Sequence, residues 1–271
     1  MPRRAFLGAA GAATLALLAT ACGSGSGDGT LRSDAGGLES ADATTSPATA
    51  APTVPPPATT TAPAVTGPAA FVVRGPNAGS RVALTFHTDG DLGLAQQLLD
   101  TLSARRVPIT AFVVGQWLEA NPTWAARLTD AGHELANHTY THPSFATISP
   151  DAMRDELTRT RDLLVRLTGK PGRLFRPSGT GDGTSRPGDA VLAAAGDAGY
   201  PVVLGFDVDP LDYQSPGVAA ITQRTLAAVA PGAVISLHFG YPDTIAAVPA
   251  ILDGLASRGL TPVTASTLLG G

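Results

Sequence analysis

The sequence predicts an α/β protein with a parallel sheet covered by helices, and three observations carry that prediction. Seven short apolar runs alternate with longer helical patterns between residues 69 and 271. Two of these runs, Ile109-Thr-Ala-Phe-Val-Val114 and Ala233-Val-Ile-Ser-Leu237, are apolar almost throughout, as strands buried on both faces should be. The segments between runs begin and end on residues that favour helix boundaries.

Strands are expected at Val82–Phe86, Ile109–Gly115, Glu134–Asn137, Arg173–Phe175, Val202–Phe206, Val234–His238 and Pro262–Ala265. Ser149-Pro150-Asp151 offers an N-cap followed by a proline at the first helical position, and Ser215-Pro216 offers the same pair. Gly132, Gly169 and Gly259 stand where helices should stop. Pro249 lies within the last long helical pattern, so a kink or a late start is expected there. A barrel-like closure and an open doubly wound sheet both satisfy the pattern.

The N-terminal part belongs to no folded body. Met1 to Ala21 carries Arg3 and Arg4, then an apolar run and small residues, which is the pattern of an export signal. Its apolar stretch is short for a membrane span. Pro2-Arg-Arg-Ala-Phe-Leu7 resembles a twin-arginine signal. Leu18-Ala-Thr-Ala-Cys22 resembles a bacterial lipobox, with Ala19 where leucine is usual. The expectation is a protein anchored to the membrane through a lipidated Cys22 and facing outside, with secretion as the alternative. Cys22 is the only cysteine, so the chain forms no internal disulfide.

Residues 22–68 are rich in Ala, Thr, Pro, Gly and Ser and read as a disordered tether. What remains, 69–271, is enough for one domain with a substantial core, expected as a monomer. The formal net charge of −4 becomes −6 without Arg3 and Arg4. With no basic patch, nucleic acid is excluded as a partner.

The polar residues fall in a pattern. His87, Asp89 and Asp91 follow the first predicted strand, and His138 and His142 follow the third. Arg176 follows the fourth, Asp209 and Asp212 follow the fifth, and His238 ends the sixth. Four of the five histidines therefore lie at C-terminal strand ends, the edge where parallel α/β folds build their sites. His138 and His142 are four apart, and on a helical turn they would project to one side as two ligands of a divalent ion. A carboxylate from another strand would complete the set. Zinc is expected first, with cobalt, manganese or nickel as alternatives that the same ligands accept.

These residues resemble the motifs of the polysaccharide deacetylases of carbohydrate esterase family 4. The family's stretches T-F-D-D-G, H-[ST]-x-x-H, R-x-P-Y, D-x-x-D-W and L-x-H are matched in order. They correspond to Thr85-Phe-His-Thr-Asp-Gly90, His138-Thr-Tyr-Thr-His142, Arg176-Pro-Ser178, Asp209-Pro-Leu-Asp-Tyr213 and Leu237-His238. The resemblance implies a distorted (β/α)7 barrel that removes acetyl groups from an extracytoplasmic glycan, such as peptidoglycan or another N-acetylated aminosugar polymer. It implies that His138, His142 and a first-motif aspartate hold the metal. It also implies that His238 protonates the leaving group beside Asp209 or Asp212, while Arg176 positions the base.

The first motif departs from the family pattern by one extra residue. Counting back from Gly90 makes Asp89 the ligand and puts Thr88 in the base slot, whereas counting forward puts His87 there. A T-F-H-x-x-G-D reading favours Asp91, which is placed ahead of Asp89. Ser178 replaces the family's tyrosine. Trp117 is a candidate sugar platform, and Trp124 is expected to pack in the core. Three functions follow: a metal-dependent deacetylase, a catalytically impaired glycan-binding domain, or a hydrolase of another small amide or ester.

Overall fold

The computed structural model describes residues 67–270. The predicted signal, Cys22 and all but the last two residues of the tether lie outside the described residues.

Eight strands are present among the described residues: β1 (Ala70–Val72), β2 (Arg81–Thr88), β3 (Thr110–Val113), β4 (Glu134–Asn137), β5 (Leu174–Phe175), β6 (Val202–Leu204), β7 (Val234–His238) and β8 (Thr261–Val263). They form one parallel sheet in the order β1-β6-β5-β4-β3-β2-β7, with β8 also beside β2. A bridge between Val208 and Ile235 brings the chain leaving β6 alongside β7. The sheet therefore curls into a distorted barrel. β2 to β8 are the seven strands the sequence predicts, and β1 is an addition that pairs with β6.

Strand periodicity decides which side chains enter the barrel. In β2, Val82, Leu84 and Phe86 join the outer core beneath the helices, while Ala83 packs in the inner cluster. Thr85 and His87 share the parity of Ala83. In β7, Ile235 and Leu237 point outward with Phe239 just beyond the strand, so Val234, Ser236 and His238 face in. Leu174 and Leu204 are inner residues, and Arg176 and Phe206 follow them by two. The same alternation that buries the apolar set thus delivers two histidines and an arginine to the inner mouth.

The helices are α1 (Leu92–Arg105), α2 (Gly115–Ala120), α3 (Thr123–Asp130), α4 (Pro150–Thr168), α5 (Asp189–Asp197), α6 (Val218–Ala228), α7 (Pro242–Ser257) and α8 (Ala265–Leu268). No described helix is long and apolar enough to cross a membrane. Ser149 caps α4 by accepting from the Ala152 amide, and Gly169 ends it with φ 74°, a left-handed turn that glycine adopts without strain. The Ser215-Pro216 expectation fails by two residues. Ser215 closes a 3-10 turn over Asp212–Gln214, and α6 starts after Gly217 without a side-chain cap. Helix α7 begins at Pro242 and runs through Pro249.

Asn137 joins the sheet to its cover. Its amide donates to Leu157 O in α4 and to the Tyr200 hydroxyl, both at 2.9 Å, and its carbonyl accepts from the Thr139 amide at 2.8 Å. Asn137→Ala strips a buried site of all three bonds and should cost about 3 kcal/mol. That corresponds to a melting temperature lower by roughly 6–12 °C in a domain of this size. Tyr200→Phe should cost only about 1 kcal/mol, and thermal unfolding measures both.

Candidate functional site

The C-terminal mouth of the barrel holds a pocket of about 380 Å³, within the usual range for small-ligand sites. Four histidines meet there. His87 and His238 are lateral partners across β2 and β7, with ring centroids 4.5 Å apart. The His87 ring lies 4.2 Å from His138, which lies 4.7 Å from His142.

Hydrogen bonds fix the proton on several of these rings. Arg176 Nη1 is 3.1 Å from His87 Nε2, and a guanidinium can only donate, so His87 accepts on Nε2 and carries its proton on Nδ1. His138 Nδ1 is 2.7 Å from the Arg176 carbonyl, which can only accept, so His138 is protonated there. Its Nε2 lone pair faces His142 Nε2 at 3.0 Å and accepts a hydrogen bond from it. Burial holds both His87 and His138 well below the ordinary imidazole range, with neighbouring histidines and Arg176 adding to the effect.

The His138–His142 segment is not a helical turn. Thr139 and His142 both have positive φ, 70° and 61°. Glu156 of α4 holds that conformation, because one carboxylate oxygen accepts the amides of Tyr140 and Thr141 at 2.7 Å each. The other accepts the Thr141 hydroxyl.

On the far side, Asp212 is completely buried and accepts four bonds. They come from His238 Nδ1 and His238 N at 2.8 Å, Thr244 Oγ1 at 2.7 Å and Tyr213 N at 3.0 Å. Of the two aspartates left open by the sequence, Asp212 is therefore the one paired with His238. Asp209 lines the pocket and caps a turn through the Leu211 amide, and burial pushes its carboxyl up.

The first-motif residues separate. Thr88 points away from the mouth, and its hydroxyl accepts from the Val114 amide. Asp89 is exposed and reaches the pocket rim. Asp91, the favoured carboxylate, is not in the pocket: it is exposed and caps α1, accepting the amides of Gly93 and Leu94 at 2.8 and 3.0 Å. A Cβ at Gly90 would sit 2.6 Å from the Gly240 Cα, so the two loops carrying these motifs approach too closely for any other residue.

Trp117 is not a platform either. It packs edge-on against Trp124 and Phe239 and donates to Gly90 O. The aromatic edge of the pocket is made by exposed Tyr213 and half-buried Tyr241, which flank His238 at 5.5 and 5.7 Å. Tyr241 was not singled out in the sequence. Its signal was its place three residues after a strand-ending histidine.

Fold and site together define a parallel α/β barrel with a histidine-lined mouth. Comparison with known proteins agrees. A family model described as polysaccharide deacetylase matches residues 74–203. A chitooligosaccharide deacetylase of Bradyrhizobium sp. (strain ANU 289) is 38% identical over 180 residues, covering 64% of this chain and 78% of that protein. A peptidoglycan-N-acetylglucosamine deacetylase of Bacillus cereus is 31% identical over 198 residues, covering 72% and 90% respectively. The structure of a wild-type carbohydrate esterase family 4 pseudoenzyme from Bacillus anthracis has a TM-score of 0.67 at 28% identity, covering 74% of this chain and 69% of that one. A mutant of the same protein with restored enzymatic activity gives 0.68. The chain belongs to the polysaccharide deacetylase family, carbohydrate esterase family 4.

The expected divalent metal, zinc or one of its alternatives, has to be corrected. Among the described residues no group of three or more His, Cys, Asp or Glu side chains is arranged to hold a metal ion. The physical reason lies in the donors. The His138 lone pair is taken by His142, Asp91 is committed to the α1 amides, and Asp89 does not complete a set with the two histidines. The residues present do not fit the ion, in a fold whose similar structures include a pseudoenzyme.

Two predictions follow from this geometry. Dialysis against a chelator should leave the melting temperature unchanged within about 1 °C, and elemental analysis should find no stoichiometric metal. Asp91→Ala should cost about 1 kcal/mol, the ordinary loss of an N-cap, without affecting ligand binding. Separately, His87, His138 and His133 all have pKa values lowered chiefly by burial. Below about pH 6.5 the unfolded chain takes up protons that the folded chain refuses, so stability should fall as pH drops through that range. Thermal unfolding between about pH 7.5 and about pH 5 reads the slope. His133→Gln, which keeps an acceptor for the Ile109 amide, should flatten it.

Proposed function

We propose that this chain is a glycan-binding member of its family in which hydrolysis is impaired. One observation carries the reading: the groups that would activate water are committed elsewhere. The His87 lone pair is held by Arg176, and the Asp91 carboxylate caps a surface helix. The ligand class follows from the relatives, which are deacetylases of chitooligosaccharides and of peptidoglycan N-acetylglucosamine. An acetylated aminosugar glycan is therefore the partner. Residues 1–21 serve as an export signal, 22–68 as a tether anchored by lipidated Cys22, and 69–271 as the glycan-binding domain, monomeric and outside the membrane. A tether of that composition lets the domain range outward into an extended polymer.

The Asp212–His238 pair favours a second reading, hydrolysis of an acetyl group or another small amide or ester. There, His238 Nε2 would protonate the leaving nitrogen or oxygen while Asp212 stabilises the imidazolium.

Acetate release from peptidoglycan, chitooligosaccharides and acetylated xylan separates the two, measured beside equilibrium binding of the same glycans. Binding without release above the His238→Ala background is expected. Release that His238→Ala abolishes would establish the hydrolase instead, and absence of binding from folded protein would remove the glycan reading.

A further inference from the structure

The face of the barrel opposite the mouth is basic. Each helix that leads back into a strand does so at the edge where the strands begin, and cations collect in those connections. Arg81 opens β2, Arg106 ends α1, Lys170 and Arg173 lie between α4 and β5, and Arg258 ends α7. All five are exposed, and none forms an ion pair among the described residues. Backbone contacts draw three of them together. The Thr261 amide, just past Arg258, donates to Ser80 O at 2.7 Å, next to Arg81, and the Arg105–Asp253 pair holds the end of α1 against α7.

The carboxylates on that face are mostly occupied. Asp253 is paired with Arg105, and Glu134 accepts from Thr110 Oγ1 at 2.8 Å and from the Ser266 amide at 3.1 Å. Asp130, at the end of α3, is exposed. Helix C-termini attract cations, which accounts for Arg105 and Arg166 in the last turns of α1 and α4. That preference does not reach Arg81, the first residue of a strand, or Arg173, just before one. The mouth has the opposite sign. Asp89, Asp91, Asp151, Asp182 and Asp189 are exposed in the loops and first helical turns that follow the strands, and two of them are paired with Arg154 and Arg186. A chain of formal net charge −4 thus turns a cationic face one way and an acidic rim the other. Such a separation orients a protein beside a charged surface.

The segment proposed as a tether joins the domain on the basic side. The Ala70 amide, at the start of β1, donates to Pro201 O just before β6 at 2.9 Å, so the chain enters at the edge where the strands begin. We infer that the basic face docks on the anionic phospholipid headgroups of the membrane that carries the anchor, with the mouth turned away from it. One lipid anchor and one basic patch are two signals that together hold a protein at a bilayer. This rests on the membrane-anchored placement proposed above and is independent of what the mouth binds.

Co-sedimentation with vesicles tests it, using the full chain carrying Cys22→Ser so that no lipid anchor contributes. Vesicles of mixed phosphatidylglycerol and phosphatidylcholine are compared with phosphatidylcholine alone. A preference of at least about 10-fold for the anionic vesicles is expected, falling as salt is added. Arg81→Gln, Lys170→Gln and Arg173→Gln together should weaken anionic-vesicle binding about 100-fold. Arg159→Gln, Arg186→Gln and Arg224→Gln together, an equal change of charge away from that face, should leave it within about 3-fold. Melting curves check that both triple variants fold. No preference for anionic vesicles, or equal losses from the two triple variants, would overturn the docking face. Tighter binding to soluble poly(glycerol phosphate) than to the vesicles would overturn the membrane as its partner. Palmitate labelling of the unaltered chain, compared with Cys22→Ser, reports on the anchor separately.

Discussion

The mouth of this barrel depends on one buried cation. Arg176 is 2% exposed, and an isolated guanidinium taken that far from water would be strongly unfavourable. It is met by acceptors from three directions. Nε donates to Leu204 O and Nη2 to Gly205 O, both at 3.0 Å, while Nη1 donates to Thr85 Oγ1 at 2.9 Å and to His87 Nε2 at 3.1 Å. The Phe112 ring lies 4.0 Å from the guanidinium carbon. Burial pulls its pKa down to about 9, which still leaves it charged at neutral pH. The planar fork thus ties the ends of β2, β5 and β6 together. A lysine, with one point charge, has no equivalent arrangement of donors. Through its side chain and its carbonyl, this single residue sets the tautomers of His87 and His138.

That constraint explains what the extra residue in the first motif does. Successive residues of a strand face opposite sides, so an added residue moves every following side chain to the other face. His87 keeps the inward position at the end of β2, Thr88 is sent outward, and both aspartates are carried beyond the sheet. The family resemblance places a carboxylate where His87 stands, and a carboxylate there would have been a counter-ion for Arg176. A neutral imidazole accepts one hydrogen bond instead. The guanidinium is then neutralised by no direct partner, and an additional cation nearby is disfavoured. It adds to the low basicity of His87 and His138, which burial causes first.

Much of the fold was legible because periodicity and burial are local signals. The alternation through β2 and β7 separates outer core residues from inner polar ones before any coordinates are known. β1 was missed because three residues directly after a Pro- and Ala-rich tether carry too little pattern to stand out. In the site, residue type was legible and commitment was not. An aspartate that caps a helix and one that serves a pocket have the same identity and the same place after a strand, so Asp91 was indistinguishable from a functional carboxylate. Trp124 packs in the core as expected, but Trp117 failed for a related reason. Nothing in the chain says that Trp117 turns toward Trp124 and Phe239, leaving the aromatic edge of the pocket to Tyr213 and Tyr241.

A buried aspartate bound to a histidine is commonly taken as a sign of acid–base chemistry. Asp212 has architectural reasons to be there. Its four bonds fasten the 3-10 turn after β6 to β7 and to the first turn of α7. The same bonds set Tyr213 beside His238, and α7 starts directly after Tyr241 on the other side. Replacing Asp212 would leave the His238 amide and the Thr244 hydroxyl unpaired in a buried place and would free the turn that carries Tyr213. A domain that only binds sugar therefore needs this carboxylate as much as an enzyme does. The residues whose geometry separates binding from hydrolysis are His87, held by Arg176, and Asp91, which caps α1.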